Sequence, residues 1–200
     1  MNGKKMAIIH HDVHPHLNYF LCLESDILGI SRWIEFSPDN ESVYSIELAR
    51  LLMTAASEAD VLAKGLCRII DATRNAGSIN AYQSVLCGAF PTLPDSLVEI
   101  PRFGMEFRPW SNWHEPDSPP DWWKGNNKVK HQRAEHFKQA NLKNVLNASA
   151  GLLVLLILYH RSQGNTHFPQ LNLFRPRSFA SQDGHSFYIA IPDGASVPWE

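Results

Sequence analysis

The stretch GLLVLLILY, Gly151 to Tyr159, constrains this chain more than any other, because it carries no charge and nothing more polar than its closing tyrosine. It is about half of the ~20 residues that a bilayer span requires, so it reads as the centre of a core. A helix that is apolar all round must be buried all round. Other elements therefore have to surround it. Two hundred residues with 44% apolar content suffice for one such core and fall short of two. The expected organisation is a single domain over residues 1–200, with a helical core over 46–161, a connection over 91–121 and an extended segment over 165–200.

Periodicity supplies the surrounding helices. From Ile46 to about Asp71, Leu48, Leu51, Leu52, Ala55, Ala59, Leu62, Leu66 and Ile69 recur at three- and four-residue spacing, with Ser45 as N-cap and Glu47 in the first turn. A second helix spans Ile79 to Ala89 and is closed by Pro91. The third begins near Asp121 or Trp122 and continues to about Arg161, with room for a break. Residues 17–37 mix aromatic and β-branched residues with helix formers, which points to a strand or a short helix. Seven prolines between Pro91 and Pro120 leave the connection little regular structure. Phe103, Phe107, Trp110 and Trp113 should pin it to the helices. Past Gly164 the chain reads as extended, with HSFYIAIP (185–192) a strand after the turn signal SQDG. The fold class expected is mainly α, a helical bundle with a small β element from the N- and C-terminal segments, α+β overall.

The charges nearly cancel, 18 basic against 20 acidic, so no overall field draws the protein to nucleic acid or to a membrane. Any attraction must be local. Cys22, Cys67 and Cys87 are odd in number and lie in apolar surroundings, which reads as buried free thiols in a reducing compartment. With no h-region after the first lysines, a soluble cytoplasmic protein without membrane association is expected.

One local imbalance stands out, in WWKGNNKVKHQRAEHF (122–137). Between Lys124 and Lys143 there are six Lys or Arg against one acid, Glu135. On a helix Asn127, His131 and Lys138 stand at spacings of four and seven, with Lys124, Lys128 and Lys130 widening the positive surface. Cations around a histidine disfavour its charged form, which suits a general base near neutral pH, and they suit the charge that develops when a 2′-hydroxyl attacks a phosphate. The plainer reading is a solvated helix surface. Trp123, with Trp110, Trp113 and Trp122, would either stack unpaired bases or pin the connection to the core. Glu58 and Asp60, beside Ser57 and Lys64, would either orient His131 and clamp Lys130 and Arg133, or form ordinary ion pairs between helices.

HHDVHPH (10–16) holds metal-ligand residue types in His11, Asp12, His14 and His16. Pro15 interrupts any regular display and no CxxC or HExxH partner accompanies them, so no metal is assigned. His10 and His16 would equally serve as hydrogen-bond partners across the fold. GxGxxG, GxSxG and GK[ST] are absent, and no cofactor is implied.

NNKVKHQR resembles the core motif of HEPN domains (higher eukaryotes and prokaryotes nucleotide-binding), small helical proteins. Their ribonuclease members carry an arginine, a polar residue and then a histidine five positions after the arginine, on a late helix of a bundle. Asn127 takes the polar position, His131 the histidine position, and the arginine falls on Asn126. The resemblance implies RNA as substrate, metal-independent cleavage, a homodimer with the two motifs facing each other, and often a toxin–antitoxin or antiphage setting with a protein partner or antitoxin. It makes His131 base or acid, Asn127 an orienting donor, and Lys130 with Arg133 substitute cations; Lys128, Lys124 and Trp123 would hold substrate. His131 and Arg133 diverge by about 200° on a helix, so they suit one phosphate better across a dimer than within one protomer. The stretch is also similar to bacterial proteins with a tryptophan pair, YNxVKHxR and an apolar helix, a likeness that brings no activity. The alternative is a non-catalytic interaction or sensor module, which the missing arginine favours.

Overall fold

The computed structural model describes residues 14–183, except 75 and 166, together with residues 186–189. The protein is mainly helical with small antiparallel sheets, α+β overall. Helix α2 (Ile46–Ile70) starts where Ser45 Oγ accepts the Leu48 N–H at 3.0 Å, and it buries Leu48, Leu51, Leu52, Ala55, Ala59, Leu62 and Leu66. Helix α6 (Leu142–Ser162) contains the GLLVLLILY run, and its N-cap Asn141 accepts from Asn144 N–H at 2.9 Å. It is long and apolar enough to cross a membrane by composition, yet 83% of its apolar window is buried inside the protein. Their starts are joined by Leu142 N–H donating to Val43 O at 2.9 Å. Near their ends, Gly65 lies against the Tyr159 ring. The two helices therefore run parallel, and the alanines of α2 allow close approach.

Helix α1 spans Pro15–Ile30, so of the strand or short helix expected within 17–37 it is the helix that forms, and this segment supplies no strand. Pro15 suits a first helical turn, and Leu17, Phe20, Leu23 and Ile27 form a buried stripe at helical spacing that outweighs the few β-branched residues. Glu24 lies on this stripe, 1% exposed. Its carboxylate accepts the backbone N–H groups of Asn172 (3.1 Å), Leu173 (2.9 Å) and Phe174 (3.0 Å), which replace the water it gives up.

Helix α3 (Ile79–Ala89) packs on α2, and α4 (Asp121–His131) is followed by the short α5 (Arg133–His136). The expected break after Asp121 is a reversal. Gln132 leaves helical geometry (φ −139°, ψ 47°), and α4 folds back along α6. A Cβ on Gly125 would lie 2.6 Å from Asn144 Nδ2, and one on Gly151 would lie 3.1 Å from the Trp122 ring, so two glycines permit this antiparallel contact.

The 91–121 connection is more regular than its prolines suggest. β1 (Val98–Ile100) and β2 (Met105–Phe107) form a hairpin turned through Gly104 at φ 62°, where a Cβ would be strained. β4 (Arg175–Pro176) adds to β1, while β3 (His167–Phe168), β5 (Ala180–Asp183) and β6 (Ser186–Ile189) form a second sheet in the order β3-β6-β5. Strands thus come from the connection and the C-terminal segment, and none of the described ones from the N-terminal segment. Residues 185 and 190–192 of the expected strand lie outside the described residues. The tryptophans pin the connection: Trp110 Nε1–H donates to Gly151 O at 3.3 Å and Trp122 Nε1–H to Pro109 O at 2.9 Å. Of the cysteines only Cys67 is buried; Cys87 is half-buried and Cys22 is exposed, because it falls off the α1 stripe.

Candidate functional site

Helix α4 divides the basic stretch between two surroundings. Trp122, Gly125, Asn126 and Val129 form its buried stripe, at spacings of three, one and three. Asn127, Lys128, Lys130 and His131 are exposed. Lys124 is tied to Asp121 at 2.7 Å within the first turn, and so is less free to meet a ligand than its exposure implies. Lys128, Lys130 and Lys138 make no ion pair among the described residues, and the ring of His131, the last residue of α4, has no hydrogen-bond partner among them. The solvent side of α4 is therefore cationic, with Lys128 and Lys130 on its two flanks about 200° apart around the helix.

Between α4 and α2 lies a cleft of about 310 Å³. Helix α2 lines it with Met53, Ser57 and Asp60, and α4 with Trp123, Asn126, Asn127 and Lys130. The spacings of four and three on α2 place one face of that helix opposite one face of α4. Asp60 Oδ1 accepts the Tyr82 hydroxyl at 3.0 Å. Burial of Tyr82, reinforced by this bond and the Asp60 charge, pushes its hydroxyl pKa well above the usual tyrosine value. Trp123 is half-buried, its ring edge-to-face with Trp122 at 5.6 Å. Arg133 sits at the rim, with Nη2–H donating to Met53 Sδ at 3.2 Å.

Asn126 is the unusual member. It is 9% exposed, and its Oδ1 is enclosed with no hydrogen-bond partner. Asn126 therefore presents an inward-facing carboxamide. Ser96, Trp113 and Ser149 also carry an enclosed, unpartnered polar atom, but none of them lines this cleft.

The structure thus brings together Asp60, Trp123, Asn127 and Lys130, with Arg133 at the edge, and leaves His131 outside on the open face. Glu58 is elsewhere. Its Oε1 meets His16 Nδ1 at 2.5 Å, on the side of α2 that faces α1, so it orients no residue of α4. Asp60 serves Tyr82, not His131. His16 in turn sits edge-on to Tyr159 and helps to line a separate cavity of about 350 Å³ with His14 and His160. Among the described residues no group of three or more His, Cys, Asp or Glu could hold a metal ion; His10, His11 and Asp12 lie outside them.

Sequence reasoning passed over Met53, Tyr82 and the inward placement of Asn126. The last was signalled by the spacing of Trp122, Asn126 and Val129. Comparison of the chain with protein-family models, with curated proteins and with solved structures finds no match.

Proposed function

We propose that the protein binds single-stranded RNA along the outer face of α4, as a relative of HEPN ribonucleases. The observation that carries this reading is the set of unpaired cations Lys128, Lys130 and Lys138 beside an exposed His131 and a cleft containing a half-buried tryptophan. Phosphates supply most of the affinity for such a face, and an aromatic ring at its edge gives one base a place to stack. The homodimer that the resemblance implies would double this face, and an RNA substrate fits a cytoplasmic setting such as a toxin–antitoxin or antiphage system.

Cleavage is a second reading, favoured by the exposure of His131 at the motif position. In it, His131 takes the proton of a 2′-hydroxyl as that oxygen attacks the adjacent phosphorus, the bond to the 5′-oxygen of the next nucleotide breaks to leave a 2′,3′-cyclic phosphate, the departing 5′-oxygen takes a proton from water, and Lys130 and Arg133 hold the phosphate. Asn126 weighs against it, because a buried amide supplies no cation. The same residue favours the alternative of a non-catalytic module.

The test is fluorescence anisotropy of a labelled, mixed-sequence single-stranded RNA in EDTA over a range of salt. Three phosphate contacts give a log–log salt slope of roughly −2, and Lys130→Gln reduces its size by about 0.7. A flat salt response, or no binding at low salt, removes the reading. RNA integrity in the same tubes, with His131→Ala alongside, decides whether binding leads to cleavage.

A further inference from the structure

We infer that the α2–α4 cleft is a pocket for one unstacked nucleobase carrying an exocyclic amine, and that it discriminates against uracil. The inference rests on the RNA-binding reading for the source of the base, but its chemistry is that of the cleft alone. A buried acceptor without a donor costs free energy that nothing in the protein returns. Asn126 Oδ1 is such an acceptor, and its side chain lines the cleft. Across from it Asp60 spends Oδ1 on Tyr82, and Oδ2 has no partner among the described residues.

An exocyclic amine has two N–H donors. One can reach the free oxygen of Asp60 and the other the Asn126 oxygen, brought into line by rotation about the terminal torsion, which is soft in asparagine. Acidic side chains accept from the amine of cytosine and amides pair with that of adenine, whereas uracil offers a carbonyl there and would face two acceptors with a third. Trp123 supplies the stacking surface, which is indifferent to base identity. Lys130 lines the same cleft and suits the attached phosphate. A second cation as ligand, such as an arginine of a protein partner, would fit the acceptors and the indole but would meet Lys130, with Arg133 at the rim. The charge arrangement therefore favours the nucleotide.

The experiment is anisotropy competition with 15-nucleotide homopolymers of A, C and U, with AMP, CMP and UMP measured separately by calorimetry, and with an arginine-rich peptide as a further competitor. The expected result is A and C bound about tenfold tighter than U, the discrimination one paired base edge provides. Asn126→Leu abolishes the preference by weakening A and C binding towards that of U, whereas Trp123→Ala weakens all three alike. Asp60→Asn, whose amide oxygen still accepts from Tyr82, also erases the preference and serves if Asn126→Leu disturbs α4.

Equal binding of the three polymers by wild type overturns the pocket while leaving RNA binding in place. Binding of AMP and CMP over UMP with no binding of any polymer keeps the pocket, as a mononucleotide site, and overturns the RNA reading. If neither polymers nor mononucleotides bind, both fall. An Asn126-dependent affinity for the peptide alone overturns the pocket in favour of a protein partner.

Discussion

Glu24 shows what a single residue can hold in place. Its carboxylate is enclosed and satisfied by three consecutive backbone N–H groups, so it fixes residues 172–174 on α1. Glu24→Leu leaves those donors buried without an acceptor and should destabilise the protein by about 3 kcal/mol or more. Glu24→Gln should cost less, because one amide oxygen still serves Leu173 and Phe174 and only the bond to Asn172 is lost. Urea unfolding midpoints of the two variants check the order; a Leu variant as stable as Gln would mean that the oxygen accepting from Leu173 and Phe174 contributes nothing there. The same scale shows how far the candidate site was legible. Asn126 falls on the stripe marked by Trp122 and Val129, so its burial was readable from spacing. That Glu58 would choose His16, 42 positions away, was not, because the choice depends on how α1 approaches α2.

Among elements, the long helices were the most legible. α3 spans Ile79–Ala89 as its periodicity predicts, and α2 ends one residue short of the expected Asp71. The reversal between α4 and α6 was not legible, since helix formers run through it and only Gly125 and Gly151 mark the contact. Short strands such as β1 and β2 depend on pairing with distant partners, so proline content alone misjudged them. The glycines make the contact testable. A Cβ on Gly151 would come within 3.1 Å of Trp122 and 3.4 Å of Trp110, both rigid and buried, so the gain in helix propensity is outweighed. Gly151→Ala should destabilise by about 1–2 kcal/mol. Gly88→Ala, in α3 with nothing within 4 Å of the added carbon, should stabilise by about 0.5–1 kcal/mol. Thermal unfolding of the pair reads both signs, and a stabilised Gly151→Ala would mean that α4 does not press on α6 there.

Over the whole molecule, the first described helix is bound to the C-terminal half at its start and again past its middle. Glu24 holds residues 172–174, and near the N-terminus of α1 the histidines hold α6 and β3. His160, 7% exposed at the end of α6, stands edge-on to His14 with ring centroids 4.7 Å apart, and its Nε2–H donates to His167 O at 3.1 Å. Burial first, and the nearby His14 second, lower the pKa of His160 below its usual 6.5, while the bond to His167 opposes them. The folded state therefore binds this proton less readily than the unfolded chain. Stability from a neutral His160 is fully present above about pH 6.5 and is lost as the pH falls from there through the lower folded value. His160→Gln retains an amide donor for the His167 carbonyl and removes the titration. Urea midpoints measured from pH 7.5 to 5 should fall less steeply for this variant than for wild type. His14 and His16 line the same cavity. Parallel pH profiles for the two proteins would mean that His160 does not carry the acid dependence of stability.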